Sequence, residues 1–362
     1  DLRQHVGQQA DRLECVRRKR GERQHEDRRD DDEERDRPRR NELLARDQQR
    51  ERDEAESEHD EVGLRQLTPE RPHPLEEVLA FAADEGFPFV ELMCWPPGKA
   101  DRRYAGVTHL DVTRFSEADA EHVRSLLRIH GVKLSGLGYY PNPLDPNPEH
   151  RRIVADHLRK VIRAAPMVGV NVVNTFIGRD PNANVKESLK QAVAVWTPLL
   201  AEAEAAGVKI GIEHCPMLFS DDEWPGGKNL ATSPAIWREL FAMFPGGILG
   251  LNFDPSHLIW QFIECGRAIR EFGKNIVHVH AKDERIDRER LYEVGVLGLG
   301  WHKPKLPGLG DVNWTEFFAA LTDSGYTGPV CIEAEDRAYE GSLEDRKRAL
   351  RQSRKFLEQF TG

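Results

Sequence analysis

From about residue 61 onward the chain repeats one pattern: a short apolar run, an amphipathic stretch of about ten or more residues, then a glycine. The runs predict strands over 61–67, 87–93, 132–138, 171–177, 208–214, 248–254, 276–282 and 329–335. The first is the poorest, because Arg65 and Gln66 interrupt it. Between the runs the spacing predicts helices, among them 74–86 stopping at Gly86 and 116–131 opening on Ser116 with Asp119 as a cap partner. A third, over 185–207, stops at Gly207. Eight β/α units in about 300 residues match a (β/α)8 TIM barrel. A doubly wound sheet is the alternative, but no glycine-rich phosphate turn follows an early strand.

Alternation within the runs carries chemistry. In the run at 208–214, Ile210 and Ile212 share one parity while Lys209, Gly211 and Glu213 share the other. At 248–254, Leu251 and Phe253 oppose Gly250, Asn252 and Asp254. At 276–282, Val277 and Val279 oppose His278 and His280; at 329–335, Ile332 and Ala334 oppose Cys331, Glu333 and Glu335. Large apolar side chains then face the helices, and small or polar ones face the barrel interior. The last inward residue of each run, Glu213, Asp254, His280 or Glu333, falls at the C-terminal end, the catalytic face of such barrels.

Three carboxylates and an imidazole converging there need a counter-charge. One divalent cation supplies it, and oxygen-rich ligation with one nitrogen favours Mn²⁺ or Mg²⁺ over a closed structural zinc site, with Co²⁺ and Zn²⁺ as further options. The bland alternative is a hydrogen-bonded polar plug. His278, one step deeper than His280, reads as structural.

Glu213 in GIEHCP, Asp254 and His257 in FDPSH, His280 in HVHAKD and Glu333 in CIEAED resemble the sugar phosphate isomerase/epimerase family of the xylose-isomerase-like TIM-barrel superfamily. The likeness spans roughly residues 62–360 and includes LPGLGDVNW at 306–314. It implies Glu213, Asp254, His280 and Glu333 as metal ligands, Glu213 and Glu333 as proton-transfer groups, and His257 as a contact to substrate oxygens. A metal held by a carbonyl and its neighbouring hydroxyl stabilises the enediolate left when the α-carbon loses its proton. Proton return from the opposite face gives epimerisation; return to the adjacent carbon gives isomerisation; loss of a β-hydroxyl gives dehydration, as in inosose dehydratases. The glutamate that ketose 3-epimerases of this superfamily carry soon after the first ligand has no match before Glu223.

Further positions could shape a substrate pocket: Glu91 near the end of the second run, Trp95, Tyr139 and Tyr140 just beyond strand ends, and Lys282 and Arg285 after the metal histidine. For each, an ordinary packing or salt-bridging role competes. His109 reads as a solvated loop residue, and the glycines over 295–310 make a weak phosphate loop. The stretch 284–312 is long for a βα connection, as functional loops and lids are.

Residues 1–60 break the pattern, holding 20 acidic and 16 basic side chains, ten apolar residues and no aromatic. Such a segment cannot offset chain entropy by burial, so it reads as a disordered or non-native extension to a catalytic domain over 61–362. A net charge of -10 gives no reason to expect nucleic acid or an anionic membrane as partner. Five scattered cysteines without a C-x-x-C pair, and no long apolar run, point to a reduced cytoplasmic protein. The expected partner is a small sugar or polyol, with a homodimer or homotetramer implied by resemblance. An endonuclease IV-like nuclease would need further histidines at the second and third strand ends, which read ELMCWPP and GLGYYPNP. A barrel that binds metal or sugar without turnover is the non-enzymatic alternative.

Overall fold

The computed structural model describes residues 75–98, 106–218 and 227–361. Seven parallel strands form one sheet: β1 (Phe89–Met93), β2 (Lys133–Gly138), β3 (Val172–Thr175), β4 (Lys209–Glu213), β5 (Leu249–Phe253), β6 (Ile276–Ala281) and, after an intervening hairpin, β9 (Val330–Ile332). Neighbours in sequence are neighbours in the sheet, so this is the parallel, nearly closed wall of a TIM barrel. Seven of the eight expected strands are present; the candidate at 61–67 lies outside the described residues.

Helices follow the strands as the amphipathic stretches predict: α1 (Leu75–Asp84), α2 (Glu117–His130), α3 (Pro148–Met167), α4 (Val185–Ala205), α5 (Pro234–Met243), the short α6 (Ser256–Ile259), and α7 (Cys265–Phe272). The ends of α2 are those its sequence specifies. Ser116 and Asp119 form a reciprocal capping box, and Gly131 closes the helix in the left-handed region at φ 66°. The core lies between strands and helices, where Ile210, Ile212, Leu251, Phe253 and Val279 pack against Trp196, Trp237 and Phe317.

The long 284–312 stretch is itself structured. β7 (Asp283–Ile286) pairs antiparallel with β8 (His302–Lys305), with α8 (Arg288–Val294) between them. Asp283 anchors this arm: its carboxylate accepts from the backbone of Gly308 and Val312 and from Trp314 Nε1. The last elements are α9 (Trp314–Asp323) and α10 (Leu343–Thr361). Among the described residues no helix is long and apolar enough to cross a membrane.

Candidate active site and metal centre

The inward parity of β4, β5, β6 and β9 delivers Glu213, Asp254, His280 and Glu333 to one place, with one ligand atom from each lying within 4.8 Å of the others. Each is positioned by its own surroundings. Asp254 Oδ1 accepts from the backbone of Ser256 at 2.9 Å, while the Asp254 backbone donates to His214 Nε2 at 3.1 Å. Burial keeps His214 neutral by lowering its pKa to about 3, so that nitrogen can accept. Glu213 Oε1 meets His257 Nε2 at 2.9 Å, and the same nitrogen lies 3.1 Å from Asp254 Oδ2.

His280 stands between two acids. Its Nδ1 is 3.3 Å from Glu333 Oε2, and its Nε2 is 2.7 Å from Glu91 Oε2. Glu91 in turn accepts from Tyr140 Oη at 2.7 Å and Asn174 Nδ2 at 3.0 Å. Two glycines make room for this network. A Cβ on Gly138 would sit 2.7 Å from Glu91 Oε1, and one on Gly211 would sit 2.3 Å from Asn174 Oδ1. His278 is fully buried and meets Asn252 Oδ1 at 2.9 Å through Nδ1, and with Glu91 and His280 it offers donor atoms within 4.8 Å of one another.

Charge is compensated inside the cluster. Lys282 is buried, with Nζ 3.1 Å from Asp254 Oδ2, 2.9 Å from Glu333 Oε2 and 3.2 Å from Glu335 Oε2. Burial alone would raise the Glu333 pKa, but Lys282 and His280 outweigh it and hold the group down at about 2. Glu91 is treated alike: burial opposes, His280 prevails, and its pKa is lowered to about 2. Burial would lower the pKa of His280, yet Glu91 and Glu333 push it well above the ordinary imidazole range. Protons and an ammonium thus occupy positions where a cation would be favourable. Asp254 Oδ2, fully buried, is met at 3.1 Å by both Lys282 Nζ and His257 Nε2. Three carboxylates and one imidazole suit a hard divalent ion.

A cavity of about 620 Å³ opens over these groups, lined by Glu91, Trp95, Tyr140, Phe176, Glu213, Cys215, His257, Trp260, Lys282, Glu284, His302 and Glu335, among others. Other expected contacts fall elsewhere. Tyr139 turns away from the cavity and packs edge-on against Trp95 and His157, at 5.0 and 4.7 Å; its neighbour Tyr140 takes the lining position. Arg285 is exposed and bonds the Leu309 carbonyl, on the opposite face of β7 from the cavity-lining Glu284. Lys282 stays on the cavity lining, with its ammonium held by Asp254, Glu333 and Glu335. His109, expected on a solvated loop, lines the cavity, and its Nδ1 accepts from the Met93 backbone at 3.1 Å. Glu223 lies outside the described residues.

Asn174, Cys215 and Glu335 join the site beyond the residues expected from the sequence. Parity was the available signal for all three: Asn174 faces inward on β3, while Cys215 and Glu335 fall two residues beyond Glu213 and Glu333. Trp260 and His302, stacked at 4.5 Å, are brought together by the arm and carry no comparable signal.

Residues 79–360 match the family model described as the xylose isomerase-like TIM barrel. The chain belongs to this family. Among curated proteins it is similar to the uncharacterised protein YfiH of Bacillus subtilis (strain 168), 30% identical over 299 residues that cover 73% of this chain and 89% of that one. It is also similar to an inosose dehydratase of Clostridium perfringens, 28% identical over 117 residues, 31% of this chain and 38% of the relative. Two solved structures share the fold. D-psicose 3-epimerase with D-tagatose from Clostridium cellulolyticum H10 has a TM-score of 0.55 at 16% identity, covering 79% and 93% of the two chains. The IOLI protein with a bound zinc atom has a TM-score of 0.60 at 16% identity, covering 79% and 94%.

Proposed function

We propose that this family member is a divalent-metal-dependent isomerase or epimerase that acts on a sugar or sugar phosphate through an enediolate, with Mn²⁺ as the favoured ion. The observation that carries the reading is the convergence of Glu213, Asp254, His280 and Glu333 beneath the cavity. A bound cation would be held by these four groups and would polarise a substrate carbonyl. The remaining work falls to the chain. Glu213 and Glu333 reach the same point from β4 and from the end of β9, so each can take a proton from the substrate carbon or return one. His257, held by Glu213 and Asp254, lines the cavity where it can meet a substrate oxygen. Trp95 and Phe176 wall the cavity against water.

A dehydratase reading has its own support. Glu335 lines the cavity beside Lys282, and burial raises its pKa to about 7, where a carboxylic acid can protonate a departing hydroxyl. The inosose dehydratase relatives agree with that outcome.

The test is metal analysis of the full chain beside His280→Ala, followed by incubation with ketoses and inososes in D₂O. The expected results are a divalent ion in the quartet that His280→Ala loses, and deuterium appearing at an α-carbon of one substrate class. A changed hydroxyl configuration or carbonyl position marks isomerase or epimerase chemistry; a dehydrated product marks the alternative. A protein that takes up no Mn²⁺, Mg²⁺, Co²⁺ or Zn²⁺ would sink the proposal and leave a polar plug.

A further inference from the structure

We propose that Glu213, Cys215 and His257 form a second cation site, adjoining the quartet, that takes a thiophilic divalent metal such as Zn²⁺. One donor atom from each of the three lies within 4.8 Å of the others. The set offers an oxygen, a sulfur and a nitrogen, whereas the quartet offers three carboxylates and one imidazole. Thiolate and imidazole shift preference away from Mg²⁺ and Mn²⁺ toward zinc, and three protein ligands leave a fourth position open.

Glu213 has the posture of a bridge. Its Oε1 lies 2.9 Å from His257 Nε2, while its Oε2 faces the other way, 3.8 Å from His280 Nδ1. One oxygen is thus available to each site. The backbone carrying the thiol is fixed independently. Asn229 is fully buried, and its Nδ2 donates to the carbonyl of Glu213 at 2.9 Å and to that of Cys215 at 2.7 Å. The clamp holds residues 213 and 215 in register, with both side chains on the cavity. Cys215 is half-buried and lines the cavity, which gives an ion its entry. His257 is fixed as firmly, since α6 begins directly after β5 and Asp254 and Glu213 share its Nε2.

Binding is an exchange without redox chemistry: the Cys215 thiol gives up its proton as the sulfur–metal bond forms, and His257 gives up a proton from the liganding nitrogen. The site rests on the function proposed above only through the shared Glu213, and it can fail alone.

The experiment titrates reduced, metal-free full-length protein with Co²⁺ and follows absorption, because a thiolate ligand gives cobalt a near-ultraviolet charge-transfer band that oxygen and nitrogen ligands do not. Wild type is expected to bind about two Co²⁺ per chain, one with the band. Cys215→Ser keeps one cobalt and loses the band; His280→Ala keeps the band and loses the other cobalt. Cobalt bound by wild type without the band, or a band that survives Cys215→Ser, overturns the second site and leaves the quartet standing. Failure of every form to bind cobalt overturns both sites.

Discussion

Strands β4, β5, β6 and β9 deliver every member of the acidic quartet, whereas β1, β2 and β3 deliver a single carboxylate, Glu91, together with the aromatic wall of Tyr140 and Phe176. The two sides solve different problems. On the donor side the difficulty is electrostatic, and it is met by placing Lys282, His257 and His280 among the acids. On the wall side the difficulty is steric, and it is met by deleting side chains at Gly136 and Gly138 so that Asn174 and Glu91 fit. Glu91 joins the two through its 2.7 Å contact to His280 Nε2. The difference teaches that an inward-facing cluster in a barrel draws on strands that supply none of its members.

The sharpest way to break this division is to remove a donor. Asp254→Ala should abolish uptake of the quartet's ion and reduce turnover by at least about 10³-fold, read by metal analysis and single-turnover rates. Full activity in that variant would end the reading of the donor side. Next in size is the link between the sides. Glu91→Gln keeps the shape but removes the acid that orients His280, and the quartet's metal affinity should fall by about 10- to 100-fold in a competitive chelator titration. An unchanged affinity would reduce the wall side to a wall. Gly138→Ala tests sterics alone, and a stability loss of about 1–3 kcal/mol is expected in denaturant melts, because Glu91 and Met93 must both move.

The metal-free protein should also have a characteristic acid limb. Glu91 and Glu333 carry folded pKa values of about 2 against an ordinary 4.5. Depressed values mean stability that is present above pH 4.5 and lost as pH falls through the folded pKa. Melting temperature should therefore drop between about pH 4.5 and 2, and Glu91→Gln should flatten part of that fall. The smallest effect is expected from the N-terminus: deleting residues 1–60 should leave metal content and turnover unchanged, and a loss of either would assign that segment to the working domain.

Much of this arrangement is legible in the sequence because a strand has a period of two and a barrel has an inside. Glu213, Asp254, His280 and Glu333 can be picked out by parity and depth before any coordinates exist. The strand end is one limit. Tyr139 and Tyr140 follow Gly138, and only parity carried past the strand, from Gly136 and Gly138, separates Tyr140, which lines the cavity, from Tyr139; aromatic character alone fits either ring. Lys282 illustrates a second limit. A lysine after a strand is ordinarily exposed, and its burial among Asp254, Glu333 and Glu335 depends on three residues at least 28 positions away. The stacking of Trp260 on His302 depends on how the arm folds back, which no local period encodes.

Lys282 has a consequence for the order of assembly. A ring of acids that relied wholly on an incoming ion would repel itself during folding, and the chain would need that ion to reach its shape, as small zinc domains do. Here a covalently attached ammonium stands in the ring from the start. On the proposed metal reading, the barrel would therefore need no ion to reach its fold, and could be loaded after folding is complete.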